Sequence, residues 1–284
     1  MSKIFCVMTL VYLIAAIQAR DKLRTDLEQD DLRGPLQTVR VEKAYFLGES
    51  PTKEVRRVVS HITVYNQSGY KVEEIDFDNS GAQTGKKVFN YDGAGSLTRI
   101  DHYNADNIFV GKTVRTNHPP KNEIQEVYYD KEGIPGGTNI RVYNEQGRAV
   151  KKYTVDNTGN LVYEMALNYD SNGNMISTTS RASDKGIVAI NTFTYMNDGR
   201  HVEMIGSDAS GVPVSKVVIS KNTQETKFKF EMYDAKGTLV NVKLVERSKL
   251  DSYGNWTIET VSQSDIENNA PKLVEVTYRT ISYY

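Results

Sequence analysis

Few residues of this chain have the type and spacing that chemistry requires. The four histidines, His61, His102, His118 and His201, lie far apart and share no His-x-x-x-His pairing, so none reads as half of a metal site. Asp76-Phe77-Asp78-Asn79-Ser80-Gly81 imitates the start of a calcium loop, but the twelfth position, where a bidentate Glu belongs, is Lys87. An Asx turn built on Asp78 is the simpler reading. Glu73 and Glu74 are adjacent, so on a strand they point to opposite faces and cannot form an acid/base pair. No nucleophile elbow, P-loop or dinucleotide fingerprint occurs. The single cysteine, Cys6, falls in the apolar N-terminal stretch, which leaves no disulfide or thiolate site downstream. These residues name no catalytic, cofactor-binding or metal-binding group, and they point to a protein that is not an enzyme.

The regular feature is a turn. Tyr91-Asp92-Gly93-Ala94-Gly95-Ser96-Leu97, Tyr169-Asp170-Ser171-Asn172-Gly173-Asn174-Met175 and Tyr233-Asp234-Ala235-Lys236-Gly237-Thr238-Leu239 are its clearest copies. Units start at 65, 77, 91, 103, 117, 129, 143, 155, 169, 181, 195, 207, 221 and 233, in alternating steps of 12 and 14. Eight starts are Tyr, eleven are followed by Asp or Asn, and ten have Gly four residues on, so a 26-residue double unit runs through residues 65–237. Asp or Asn at the first turn position caps the following amides, and Gly takes the left-handed conformation that closes a type I turn into a bulged hairpin. The copies at 117, 181 and 221 are worn: Pro119-Pro120 interrupts the first, and Gly186 has slipped in the second.

Between turns the chain alternates, as in Phe228-Lys229-Phe230-Glu231-Met232 and Val240-Asn241-Val242-Lys243-Leu244. This period of two predicts strands with the apolar residues inward and the charged residues outward. The fold class is therefore all-β: tandem antiparallel hairpins in one long sheet. Fourteen strands side by side exceed the roughly 10 that open twisted sheets sustain, so the sheet curls into a barrel-like or spiral form. The repeated Tyr are expected to pack on one another and hydrogen-bond at the rim, or to present an aromatic row to a sugar or peptide.

Residues 1–19 read as a signal peptide, or else a retained anchor, with Lys3, an apolar run from Ile4 to Ala16 and small residues to Ala19. Residues 20–35 form a charged tether or one short helix, stopped by Gly34-Pro35. Residues 36–284 are one β-repeat domain, with a turn at Gly48-Glu49-Ser50-Pro51 and closing strands over 250–284. These are Trp256 to Val261 and Leu273 to Tyr284, with a polar loop at Ser262 to Pro271. Lys+Arg 35 against Asp+Glu 36 excludes a strongly basic nucleic-acid binder. No later stretch is apolar enough to span a bilayer as a helix. Asn66-Gln67-Ser68 and Asn255-Trp256-Thr257 are glycosylation triplets, meaningful only in a eukaryotic secretory route.

The Tyr-Asp-x-x-Gly-x-Leu phrase resembles the RHS/YD-repeat family over roughly residues 65–256. Leu32-Arg33-Gly34-Pro35-Leu36-Gln37-Thr38-Val39 and the Asp251-Ser252-Tyr253-Gly254-Asn255-Trp256 phrase are similar to the ends of small exported bacterial members. The resemblance implies a non-enzymatic scaffold or interaction protein of the periplasm, outer-membrane surface or exterior, with a protein or glycan partner and no cofactor. The alternatives are a glycan- or wall-binding module that uses exposed Tyr rows and, more remotely, a hydrolase.

Overall fold

The computed structural model describes residues 25–45, 56–196, 199–265 and 272–284. The expected signal peptide, the start of the tether and the turn at 48–51 lie outside these residues. What is described of the tether is a four-residue helix, α1 (Asp26–Gln29), opened by a reciprocal capping box between Thr25 and Glu28.

The remainder is strand. The first nine are β1 (Leu36–Tyr45), β2 (Arg56–Tyr65), β3 (Lys71–Phe77), β4 (Gln83–Tyr91), β5 (Leu97–Asn104), β6 (Phe109–His118), β7 (Glu123–Asp130), β8 (Pro135–Tyr143) and β9 (Ala149–Val155). The second nine are β10 (Leu161–Tyr169), β11 (Met175–Ala182), β12 (Gly186–Met196), β13 (His201–Ser207), β14 (Pro213–Lys221), β15 (Lys227–Asp234), β16 (Leu239–Leu250), β17 (Trp256–Asp265) and β18 (Lys272–Tyr283). Each strand pairs antiparallel with the next, and β1 also pairs with β18, so the eighteen strands close into a barrel without a free edge. At 4.8 Å per strand the circumference is about 86 Å, a diameter of about 27 Å before tilt. The sheet thus closes rather than spirals. The closing strand β17 continues to Asp265, four residues beyond the expected end at Val261, because Ser262, Gln263 and Ser264 pair with β16.

The turns have the expected chemistry. Asp92 donates its amide to the Ser96 carbonyl, its carbonyl accepts from Gly95, and its side chain accepts from the Ala94 and Ser96 amides. Gly95, Gly173 and Gly237 all sit at positive φ. Where the Gly is missing the conformation persists: Asn107, Asn122 and Glu225 are left-handed at φ 59, 50 and 54. The pair Pro119-Pro120 becomes a short 3-10 turn over Pro119–Lys121, ended by left-handed Asn122.

Hydrogen bonds hold these turn carboxyls below the usual range. Asp156 falls to about 2 through the Thr158 hydroxyl and the Asn160 amide, and Asp78, Asp170, Asp208 and Asp234 are lowered in the same way. A depressed folded pKa stabilises fully above the unfolded value near 3.9 and is lost as pH falls through the folded value. Urea midpoints are therefore expected to hold down to about pH 4 and to decline between about pH 4 and pH 2. A curve flat to pH 2 would show that the caps contribute nothing.

Bulges follow the turns of both rims: Val72, Thr98, Val150 and Ile176 after first-rim turns, and Val110, Val162, Val188, Val214 and Val240 after second-rim turns, sit opposite no partner. An even step with one bulge moves the next start to the opposite face. Tyr65, Tyr91, Tyr143, Tyr169 and Tyr195, at the first rim, therefore share a face with the buried rows, whereas Tyr103, Tyr129 and Tyr233, at the second rim, point the other way.

The buried face is the inside of the barrel, where converging side chains crowd one another. On β13, Val202, Met204 and Gly206 are buried between half-buried His201, Glu203 and Ile205, and on β12 Phe193 is buried between exposed Thr192 and Thr194. Leu167, Met175, Phe193, Val202, Met204, Val217, Ile219, Phe230, Val245 and Val261 form one apolar arc on the inner wall from β10 to β17. Alternation predicts Phe228, Phe230 and Met232 inward, and they are. On β16 it predicts the wrong face: Asn241, Lys243 and Val245 pair with Met232, Phe230 and Phe228 and point inward, while Val242 and Leu244 point out. The bulge at Val240 shifts the phase by one residue.

Candidate functional site: the charged arc of the inner wall

From β18 through β1 to β9 the same inner face carries charged and polar side chains beside the apolar Val39 and Val41 on β1 and Phe89 and Ile100 on β4 and β5. His61 on β2 lies opposite Asp76 on β3, and Thr63 on β2 lies opposite Glu74, which lies opposite Lys87 on β4 and then His102 on β5. Glu74 and its neighbour Glu73 diverge as expected: Glu74 turns inward to Lys87 at 2.6 Å and Lys71 at 3.7 Å, and Glu73 turns outward to Lys86 at 3.7 Å. Burial would raise the Glu74 carboxyl, but the Lys87 bond outweighs it and holds the group below its usual range. Lys87 is raised in turn, because the gain from Glu74 and Asp76 outweighs its own burial. His61 is lowered, mainly by burial, with Arg279 and Lys71 acting in the same sense and Glu74 and Asp76 opposing them. His102 is also lowered by burial and bonds the Thr113 hydroxyl at 2.8 Å.

Further round, Glu126 on β7 sits between Arg115 at 3.7 Å and Arg141 at 3.3 Å, and Asn139 accepts from Thr154 at 2.7 Å. Glu126, Asn139, Arg141, Lys152, Thr154 and Tyr163 line a shallow cavity of about 230 Å³. Glu74 and Glu126 each have cationic partners, and the two half-buried histidines are depressed towards the neutral form. Such a wall can bind polar or charged groups by exchanging partners. Among the described residues no three His, Cys, Asp or Glu side chains converge as a metal cage.

The N-terminal segment caps one end of this arc. Leu27 and Leu32 bury against Leu36, Val39, Val41 and Tyr65. Asp26 accepts from the Tyr91 hydroxyl at 2.5 Å and the Lys71 amide at 2.9 Å, and Asp30 accepts from the Tyr65 hydroxyl at 2.5 Å and pairs with Lys71 at 3.0 Å. Burial and these carboxylates raise both phenols. Elsewhere on the first rim the tyrosine uses a backbone acceptor twenty residues back: Tyr169 bonds the Ala149 carbonyl and Tyr195 that of Met175. In the first two units the carboxylates of the N-terminal segment take that place.

The expected tyrosine row is thus divided. First-rim tyrosines face inward with their hydroxyls engaged, and successive ones are two strands apart, about 10 Å, too far to stack. Second-rim tyrosines face outward, each below a lysine on the neighbouring strand: Lys86 over Tyr103 at 5.0 Å, Lys112 over Tyr129 at 5.8 Å and Lys216 over Tyr233 at 4.8 Å. Asp78 accepts from the Ser80 and Ala82 amides, which is the Asx turn rather than an ion site. His118 precedes the Pro119 turn, and His201 bonds the Ser220 hydroxyl on the outer face, so the four histidines do not meet.

Two features escape sequence reasoning. The carboxylates Asp26 and Asp30 lie in a stretch that reads as tether. Arg279 stands on the phase of β18 that alternation assigns to solvent, with Glu275 and Thr277, yet that phase is the inner one.

No family model and no curated protein matches the chain. Among solved structures, a porin-like protein from Bacteroides uniformis is 13% identical over 88% of this chain and 98% of that one, with a TM-score of 0.46. A TcdB2-TccC3-TEV structure is 14% identical over 86% of this chain, which spans 14% of that longer chain, with a TM-score of 0.18. Both fall below the similarity at which a shared fold can be asserted.

Proposed function

We propose that this protein is an exported, hollow β-barrel of the small YD-repeat kind that stands in water and acts by binding a partner rather than by catalysis. The observation that carries the reading is the placement of charge on both faces at mid-strand. On the outer face, Glu42 pairs with Arg57 at 2.8 Å, Arg99 with Asp101 at 3.0 Å, Lys151 with Glu164 at 2.6 Å and Lys216 with Glu203 at 3.5 Å. A barrel that spans a bilayer needs an outward apolar band about 25 Å tall, and arginine or lysine at its midplane costs about 2–4 kcal/mol each. This barrel carries such residues around its girth.

The binding reading is supported by the polar inner arc, and the outward Tyr103, Tyr129 and Tyr233 leave a second surface for a glycan. The chain lacking residues 1–19 is expected to remain in the aqueous phase when detergent and water are separated, and to give no conductance in planar bilayers. Quantitative transfer to detergent, or stepwise conductance, would overturn the proposal.

A further inference from the structure

Among the inward arginines of the described residues, Arg279 is the one without a carboxylate partner. Its guanidinium lies 3.5 Å from the centre of the Trp256 ring, and Arg247 approaches the same ring at 5.3 Å. Arg247 has a carboxylate, Glu259, at 2.9 Å. Arg279 has none: among the described residues it makes no ion pair and no hydrogen bond, and its Nε is buried without an acceptor. The nearest acidic groups are committed elsewhere, Glu259 to Arg247 and Asp30 to Tyr65 and Lys71. Burial and the neighbouring Arg247 lower Arg279 to about 10, which still leaves it charged at neutral pH. A half-buried cation without a carboxylate partner is costly, and stacking on one aromatic ring offsets only part of that cost. A planar fork with free terminal nitrogens, held flat by a ring and flanked by a second guanidinium, is the geometry that takes an oxyanion through two parallel hydrogen bonds.

We propose that Arg279, with Arg247 beside the same Trp256 ring, is a binding site on the inner wall for an oxyanion, a carboxylate or phosphate group carried by the ligand. The inference rests on the reading of the barrel as a binding module. Phase separation tests that reading and the titration below tests this one, so either can fail alone.

Trp256 is the single tryptophan of the chain, so its fluorescence reports on this site directly. Sodium phosphate and sodium acetate are titrated separately into the chain lacking residues 1–19 at constant ionic strength, balanced with chloride. A saturable change in Trp256 emission with at least one of the two is expected, together with a rise in melting temperature at saturation. R279Q should weaken the midpoint at least tenfold, and R247Q should weaken it less. A response that is linear, that chloride reproduces, or that R279Q retains would overturn the site. The comparison with chloride needs only the unmodified protein, so the proposal can fail even if R279Q does not fold.

Discussion

Met204→Ala is expected to destabilise the barrel by about 2–5 kcal/mol, measured as the loss in unfolding free energy by urea titration. Met204 is 1% exposed on β13 and packs within the apolar arc beside Phe193 and Val217, its direct cross-strand partners. Truncation removes transfer free energy and leaves a cavity, because the sheet on either side is fixed by its ladder and cannot collapse into the gap. The same experiment on the opposite arc should give a different answer. Asn139 also points inward but is exposed, and Asn139→Ala should change stability by no more than about 0.5 kcal/mol. If the two substitutions cost the same, the inner wall is not divided into a packed arc and a wet one, and the case for a polar interior surface falls with that division.

Asn255→Leu should cost about 2–4 kcal/mol for a different reason. Asn255 is 3% exposed, and its side chain is fully engaged. Its carbonyl accepts from the Arg33 amide at 2.8 Å, and its amide nitrogen donates to the Arg33 carbonyl at 2.9 Å, to Asp251 at 3.1 Å and to the Tyr283 hydroxyl at 3.1 Å. Leucine fills similar space but strands both backbone groups of Arg33 and weakens the Asp251–Tyr283 contact. One side chain thus ties the N-terminal segment, the last turn and the last strand together where β1 meets β18. Equilibrium denaturation should show the loss, and hydrogen exchange should show it concentrated at β1 and β18. A change below about 0.5 kcal/mol would mean that the closure is held by the ladder alone. The same burial removes Asn255 as a glycan acceptor in the folded protein, although its sequence triplet permits one.

The repeat was legible in the sequence because each of its parts answers to local physics. An Asp or Asn that caps its own turn, and a residue that accepts a left-handed backbone, act within five residues, so the turn at Asp92–Ser96 can be written down without knowing what surrounds it. The alternation of Phe228 to Met232 is equally local. The N-terminal capping segment was only half visible: Leu27 and Leu32 show spacing, but nothing near Asp26 and Asp30 hints that their acceptors will be met by tyrosines 35 and 65 residues away.

What the sequence determined by itself was an all-β chain of antiparallel hairpins with turns at two alternating edges and too many strands to stay flat. What only the tertiary structure decided was closure and facing. Closure depends on β1 meeting β18, a contact between residues more than 200 positions apart that no periodicity encodes. Facing depends on bulges: one unpaired residue at Val240 reverses every side chain of β16. That reversal carries Lys243 and Arg247 to the inside, and Arg279 lies on the inner phase of β18. The tyrosine of the repeat, uniform as a letter, consequently has two environments, engaged within the first rim and half-buried under a lysine outside the second.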